Sequence, residues 1–512
     1  MPLLRCLPKA YERLKPDDDC MKEECGVFGI YCNGSGLEAA ETAYYGLFSL
    51  QHRGQESAGI AVSRKGRIEC HKEMGLVSGR FCDGLASLCG SNLAIGHVRY
   101  STMGDSSLIN AQPIIVDSCQ GSMALAHNGN IINAEELRGE LERDGFVFQT
   151  TIDSEVIAAL IAKYSTKGVV EGVIKASERM KGSYALVLMT KDALIGVRDP
   201  KGMRPLALGR LDGAYAFASE SCAFDTIGAE FIRDIRPGEI VVANHHGLQS
   251  YQGAHASDTA LCIFEYVYFA RPDSDIDGVS VHRARERAGE LLALSSPADV
   301  DVVAAVPDSA LPAAMGYARQ ANLPFTIALS KNRYTGRTFI EPAQDKREKD
   351  VALKLSALKR NVRGKRVLLV DDSIVRGTTS KYIVEMLKTA GAKEVHLRVS
   401  SPPVMHPCFF GIDTSSHEQL IGANHSVEEI RKFIGADSLS YLSIEDLLKT
   451  VEDGACHFCA GCFNGIYPED VSACLKCGKK NVLDRPDGDG LHGTATQSRT
   501  RGKQNILDRT GD

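Results

Sequence analysis

The chain has 512 residues, of which 44% are hydrophobic and 24% charged, with a formal net charge of -6. That length predicts roughly two to four domains with sizeable cores, and the slight acidic balance excludes a globally basic surface for nucleic acid or anionic membrane. No stretch reaches the roughly 18 apolar residues of a membrane span, and Met1 to Glu24 lacks the apolar centre of a secretory signal, so a cytoplasmic location is expected.

Residues 1–24 are polar, carry Pro2, Pro8 and Pro16, and end in an acidic patch with Asp17, Asp18 and Asp19, which reads as a detachable leader. Cys25 then stands at the head of the apolar run Gly26-Val27-Phe28-Gly29, where a lone cysteine is ordinarily a small buried hydrophobe. From Cys25 to about residue 255 short strand patterns dominate: Ser122 to Ala126, Tyr184 to Met189, Ala193 to Val197 and Ala214 to Ala218. Two helical patterns interrupt them, Ala134 to Glu142 with Asn133 as N-cap and Ser154 to Ala162 with Asp153 as N-cap. Many strands with few helices predict an α+β domain of mostly antiparallel sheets over residues 25–255.

Beyond residue 255 strands and helices alternate: Val300 to Val306, Ala310 to Gln320, Phe325 to Leu329, Val367 to Val370 and Thr379 to Ala390. Such alternation predicts βαβ units around a parallel sheet, an α/β domain over residues 256–470. Residues 478–512 are rich in Gly, Asp, Lys and Arg without apolar periodicity, and disorder is expected there.

The most informative stretch is Val367-Leu368-Leu369-Val370-Asp371-Asp372-Ser373-Ile374-Val375-Arg376-Gly377-Thr378-Thr379-Ser380. A buried strand delivers two carboxylates to its C-terminal end, where ligands of parallel sheets sit. The following loop and helix N-terminus offer free N–H groups and the hydroxyls of Ser373, Thr378, Thr379 and Ser380, a cradle for a monophosphate. Asp371 and Asp372 are then placed to accept from sugar hydroxyls or to hold Mg²⁺. A lone Asp-Asp pair would ordinarily do no more than cap the helix, but the whole order of strand, Asp-Asp and Gly-Thr-Thr resembles the phosphoribosylpyrophosphate (PRPP) loop of type I phosphoribosyltransferases. Upstream lies a basic stretch with Lys331, Arg333, Tyr334 and Arg337, and further on Lys354. Such a run is usually a solvated loop; beside a diphosphate it makes better sense as a lid that neutralises pyrophosphate and excludes water.

The first domain holds four polar, glycine-bearing segments: Gln51-His52-Arg53-Gly54-Gln55-Glu56-Ser57, Gly96-His97-Val98-Arg99-Tyr100-Ser101-Thr102, His127-Asn128-Gly129-Asn130 and Asp153-Ser154-Glu155. An arginine fork for a carboxylate, an Asn-Gly pair donating two N–H groups to an oxyanion and an aspartate for an amino group are what amide hydrolysis requires. Singly, Asn128-Gly129 is a common turn pair and Asp153 a fair helix cap. With Cys25 they resemble the glutamine domain of N-terminal-nucleophile (Ntn) amidotransferases. Followed by the PRPP loop, the match narrows to the glutamine PRPP amidotransferase family, and the resemblance runs from Cys25 to about Pro468.

That resemblance implies an Ntn-hydrolase fold of stacked antiparallel sheets, followed by a type I phosphoribosyltransferase fold. It implies cleavage before Cys25, whose freed α-amino group serves as base for its thiol. Arg99, Thr102 and Asp153 would bind glutamine, with Asn128 and Gly129 as oxyanion hole. Asp371, Asp372, Ser373, Arg376, Gly377, Thr378, Thr379, Ser380, Lys331, Arg333, Tyr334, Arg337 and Lys354 would bind PRPP, with Mg²⁺ near Ser309, Asp371 and Asp372. Ammonia from glutamine would displace pyrophosphate from PRPP to open purine synthesis. Purine nucleotides as feedback inhibitors and a homotetramer are further implications. The sequence departs from the family pattern at Asp350 and Ala352 in the lid, where glycine and arginine are usual, and at Ile152, where serine is usual; Arg347 and Lys354 remain. His52, His97 and His127 are expected to be structural, since the free amine already supplies a base.

Cys459-Ala-Gly-Cys462 followed by Cys474-Leu-Lys-Cys477 has the spacing of a zinc ribbon. The iron-sulfur members of the family instead imply a [4Fe-4S] cluster on Cys262, Cys408, Cys459 and Cys462, which the similarity around all four favours, with Cys456 a bystander and Cys474 and Cys477 unassigned. Two rival functions remain: a PRPP-sensing regulator without turnover, against which the lid and the Cys25 constellation argue, and an amidotransferase acting on a sugar phosphate or aspartate, against which the PRPP loop argues.

Overall fold

A computed structural model describes residues 25–32, 34–78, 84–100, 106–255, 258–332, 355–412, 417–452, 454, 457–472 and 474. The leader, Thr102, the lid residues Arg333, Tyr334, Arg337, Arg347, Asp350, Ala352 and Lys354, together with Cys456, Cys477 and residues 478–512, lie outside the described residues.

Two antiparallel sheets make up the first half. One has seven strands in the order Glu230–Asp234, Ala207–Leu211, Ala214–Ala218, Gly26–Tyr31, Leu93–Arg99, Ser57–Arg64 and Arg67–Met74; the other has six, Gly247–Gln252, Glu239–Asn244, Leu194–Arg198, Gly182–Met189, Gly121–Ile131 and Ile114–Ser118. Alternation along each strand sorts its side chains to two faces. Val27, Ile95, Ala124, Ala126, Val187 and Phe217 meet between the sheets. Phe28 and Ile30 turn outward onto the helices Ala39–Ser49 and Cys222–Ile227. On the far side Leu125, Ile131, Leu186 and Leu188 pack beneath the helices Ala134–Arg143, Asp153–Tyr164 and Val169–Ser177. The result is four layers, helix on sheet on sheet on helix.

The second half carries a parallel sheet ordered Val302–Ala305, Arg366–Asp371, Glu394–Val399 and Ser438–Tyr441. Val303, Ala305, Leu368 and Val370 face the helices Val281–Ser295 and Leu311–Gln320. Their neighbours Val302, Ala304, Val367 and Leu369 face Thr378–Thr389 and Val427–Ile434. Helices on both faces explain why these strands are apolar throughout rather than alternating.

Three local expectations are corrected. Asn133 precedes its helix but does not cap it; its side chain accepts from the Lys181 N–H at 3.0 Å and donates to the Arg179 carbonyl at 3.0 Å. Asp153 is the first residue within its helix, with Ile152 at the cap position, because its carboxylate is turned to accept from the Ile131 N–H at 3.1 Å. The expected strand Phe325 to Leu329 reduces to one bridge between Phe325 and Val303; pairing begins only at Leu329–Lys331, against Leu355–Ala357. Among the described residues no helix is long and apolar enough to cross a membrane.

Candidate active site

Cys25 sits just before the central strand Gly26–Tyr31, which pairs with Leu93–Arg99 and so sets the thiol beside Arg99 and Tyr100 at the sheet's end. One cavity is lined by Cys25, Arg99, Tyr100, Gln112, His127, Gly129, Ile152, Asp153 and Ser154. The structure thus gathers residues 25, 99, 129 and 153 from four separate segments around a single space. The Cys25 Sγ lies 3.4 Å from the Tyr100 carbonyl oxygen. Burial pushes this thiol up to about 11, only partly offset by a main-chain contact with Tyr100 and the Arg99 charge.

Arg99 is buried, and its Nη1 donates to Glu56 Oε1 at 3.1 Å. Asp153 is anchored by the Ile131 N–H, with its other oxygen 3.6 Å from His127 Nδ1. Asn128 is buried, and its Nδ2 has no hydrogen-bond partner among the described residues. A donor withdrawn from water and left unpaired costs about 1–3 kcal/mol, a cost expected where a substrate oxygen will supply the acceptor. Gly129 has φ +144°, and a Cβ there would stand 2.2 Å from the Ser183 carbonyl oxygen, so only glycine brings this N–H to the site.

Some residues at this site carry no motif-level signal. Gln112 receives the His127 N–H on Oε1 at 2.8 Å and faces the His127 carbonyl with Nε2 at 3.4 Å, completing the main-chain bonding of the strand just before Asn128. Only its burial beside a proline hints at this, and burial is invisible in sequence. Of the three histidines, His97 is wholly enclosed, which drives it down to about 3, and its Nε2 meets the His127 carbonyl oxygen at 3.0 Å. His127 borders the cavity, its Nδ1 3.1 Å from Ser154 Oγ, while His52 pairs with Glu220 at 2.7 Å.

The second constellation sits at the carboxyl end of the parallel sheet. Strand Arg366–Asp371 lies beside Val302–Ala305, so the turn with Ser309 adjoins Asp371-Asp372. Ser309 Oγ donates to the Asp372 carboxylate, and Ser373 Oγ donates to its other oxygen at 2.8 Å. Both aspartates are buried; burial pushes Asp372 up against these hydroxyls and the nearby Arg285 charge. Gly377 takes a left-handed conformation, φ +82°, and starts the helix Thr378–Thr389, aiming that helix's N-terminus at the same space. Lys331 Nζ meets Asp308 at 2.7 Å. Arg376 is turned to Gln419 Oε1 at 2.7 Å.

The third constellation is the cysteines. The two-residue strands Leu261–Cys262 and Phe458–Cys459 pair in parallel with Cys262 opposite Cys459. Cys462 follows in the short helix Gly461–Asn464, and its carbonyl receives the N–H groups of Met405 and His406 at 2.9 and 3.0 Å, bringing the segment of Cys408 alongside. Cys408, Cys459 and Cys474 border one apolar cluster with Phe409, Phe410 and Tyr467. Among the described residues no group of three or more His, Cys, Asp or Glu is drawn together closely enough to hold a metal ion.

Comparison with known proteins agrees with both halves. Residues 97–226 match the glutamine amidotransferase domain, and residues 282–401 match the phosphoribosyl transferase domain. The amidophosphoribosyltransferase of Bacillus subtilis is 49% identical over 88% of this chain and 95% of its own. That of Archaeoglobus fulgidus is 51% identical over 87% of this chain and 98% of its own. Among solved structures, the glutamine PRPP amidotransferase of B. subtilis complexed with ADP and GMP superposes with a TM-score of 0.81 at 49% identity, covering 87% of this chain and 98% of that one. A structure described as the allosteric regulatory enzyme of purine biosynthesis gives a TM-score of 0.83 at 48% identity, covering 90% and 98%. On this identity and coverage, the chain belongs to the amidophosphoribosyltransferase family.

Proposed function

We propose that the chain transfers ammonia from glutamine to PRPP, giving 5-phosphoribosylamine, glutamate and pyrophosphate, the first committed step of purine synthesis. The observation that carries this reading is the presence, in one chain, of a buried thiol sharing one cavity with Arg99, Gly129 and Asp153 and of an acid pair facing a glycine-hydroxyl cradle. The first suits amide hydrolysis and the second suits a phosphorylated sugar.

In the first half-reaction Arg99, Thr102 and Asp153 hold the glutamine backbone, with the guanidinium on its carboxylate and the aspartate on its amino group. Cys25 Sγ bonds to the side-chain amide carbon, and the oxygen gathers negative charge toward Asn128 Nδ2 and the Gly129 N–H. A thiol held at about 11 is protonated at neutral pH and needs a base. Removal of residues 1–24 frees the Cys25 α-amino group for that task; it takes the thiol proton and passes it to the departing nitrogen. The C–N bond breaks, ammonia leaves, and water later releases glutamate from the thioester.

In the second half-reaction ammonia bonds to C1 of PRPP as pyrophosphate departs. Asp371 and Asp372 position the ribose hydroxyls, and the Ser373 to Ser380 loop holds the 5-phosphate. Lys331, Arg333, Tyr334, Arg337 and Lys354 cover the diphosphate and exclude water. The oxygen donors of Ser309, Asp371 and Asp372 suit a hard divalent cation, and Mg²⁺ bound there would neutralise charge on the leaving pyrophosphate. The soft sulfurs of Cys262, Cys408, Cys459 and Cys462 suit a [4Fe-4S] cluster, which would tie the C-terminal segment to the second half without entering the reaction. Purine nucleotides as inhibitors, a homotetramer and a cytoplasmic location complete the proposal; the nucleotides gain support from the relative bound to ADP and GMP.

The test is pyrophosphate release by the purified chain. It should require PRPP and accept either glutamine or ammonia. Cys25→Ala should abolish the glutamine-dependent rate and leave the ammonia-dependent rate at the parent level; loss of both contradicts two separate sites.

A further inference from the structure

Cys25 is held by an arginine of its own half that is itself clamped from the other half of the chain. Arg53 is wholly buried, and its Nε donates to the Cys25 carbonyl oxygen at 3.0 Å. On its other side Nη1 donates to Glu220 Oε1 at 2.7 Å and to Glu265 Oε2 at 2.9 Å, while Nη2 donates to Glu265 Oε1 at 2.9 Å. Glu265 is fully buried at the head of a π-helical turn, Glu265–Phe269, three residues beyond Cys262. Arg204 Nη1 lies 3.6 Å from Glu265 Oε1, so two arginines face two glutamates. Burial pushes Glu220 up, but His52 and Arg53 outweigh it and hold the carboxylate well below its usual range.

A buried ionic group of this size is a poor source of stability, because desolvation cancels most of the attraction. What it supplies is direction. A guanidinium is planar, with its donors in a fixed fork, so gripping a carboxylate through both Nη atoms leaves Nε aimed along one line. That line ends on the Cys25 carbonyl oxygen, which fixes the Cys25-Gly26 peptide plane and the direction in which the Cys25 Cα–Cβ bond leaves it. The π-turn has its own pins: Arg285 donates to the Tyr266 carbonyl at 2.7 Å and to the Ala270 carbonyl at 2.8 Å. Wide turns of this kind are recurrent at functional sites.

We propose that Glu265, supplied by the phosphoribosyltransferase half, is a positioning residue for glutamine hydrolysis that acts through Arg53 to aim the Cys25 thiol at the substrate amide. The proposal rests on Cys25 being the glutamine nucleophile. Glu265 touches neither substrate.

Glu265→Gln keeps the shape and one acceptor oxygen but removes the charge that clamps the fork. It should lower glutamine-dependent kcat roughly 10- to 100-fold while the ammonia-dependent rate of the same preparation stays within about twofold, since small misplacements of a reacting atom have effects of that size. Arg53→Lys keeps the charge but cannot reach the carbonyl and both carboxylates together, so it should show the same split, and it serves as the readout if Glu265→Gln fails to fold. Two rates falling together would mean a general structural role and overturn the proposal, as would an unchanged ratio in both variants. Absence of glutamine-dependent turnover in the wild-type chain would instead overturn the functional reading, and this proposal with it.

Discussion

A buried thiol held in its protonated form makes its pH dependence a direct probe of its surroundings. With residues 1–24 still attached, burial keeps the Cys25 thiol neutral up to about pH 11. The thiolate is therefore scarce at neutrality, and its share grows as pH rises. Alkylation of Cys25 by iodoacetamide in the leader-bearing chain should accelerate about tenfold per pH unit between 7 and 10. Mass spectrometry of the labelled peptide measures the rate, and the chain beginning at Cys25 should already react near neutral pH; a flat profile with the leader attached would contradict the self-base account. Arg99, Asn128 and Asp153 drew attention in the sequence because each stands in a short polar segment that a core would not tolerate, whereas Cys25 heads an apolar run and was singled out only by the family resemblance. Arg53 stood in such a segment too, yet its role was illegible: its partner Glu265 lies 212 residues away, a single carboxylate among apolar neighbours with no sign of what it pairs with. Gln112 was illegible for a nearer reason, since a neutral side chain bonding main-chain groups leaves no chemical signature in sequence.

At the scale of elements, hydrophobic period served well wherever one partner layer decided burial. The strand Ala214–Ala218 falls where its pattern placed it, and the helix expected over Thr379 to Ala390 is displaced by one residue. Period overshot between Phe325 and Leu329: the segment meets the free edge of Val302–Ala305, but only through the Phe325–Val303 bridge, before the chain turns to pair with Leu355–Ala357. Caps were misjudged at Asn133 and Asp153 because long-range main-chain donors outcompeted the local helix for their oxygens. The paired strands Leu261–Cys262 and Phe458–Cys459 are too short to be seen by any period, and their two facing cysteines account for their interest. If these and their neighbours carry a cluster, anaerobically purified protein should be brown and contain about four irons per chain, and replacing Cys459 by serine should bleach it. One zinc in a colourless protein would return the zinc ribbon.

For the molecule as a whole, the joint between the halves is unusually rich in charge. Beside the Arg53 group lies a second one, where Arg198 grips Asp277 through two bonds of 2.8 Å and Asp234 accepts the Asp277 N–H at 2.9 Å. Burial, reinforced by the Asp277 charge, pushes Asp234 up to about 7 from 3.8. The folded state therefore keeps a proton that the unfolded chain releases first, and stability is lost as pH climbs from 3.8 to about 7. Asp234→Asn retains an acceptor and never ionises. It should stabilise the protein by on the order of 2 kcal/mol at pH 8 and by much less near pH 4. Melting temperatures at the two pH values decide it; a loss at pH 8 would mean that the ionised carboxylate is needed by Arg198.

The strand that bears Asn128 and Gly129 is braced from far along the chain. Asn130 Nδ2 donates to the Phe409 carbonyl at 2.8 Å across 279 residues, Ser183 Oγ and Arg204 Nη2 donate to the Phe410 carbonyl, and a Cβ on Gly411 would stand 3.3 Å from the Gly129 Cα. Ribosomes add about 5–20 residues per second, so a growing chain exposes the Asn130 strand roughly 15 to 55 s before residue 409 exists. During that interval the nascent first half lacks the brace on the strand that bears Asn128 and Gly129. By the time the brace arrives, the stretch Asp371 to Ser380 has already been made, so the two halves are completed together.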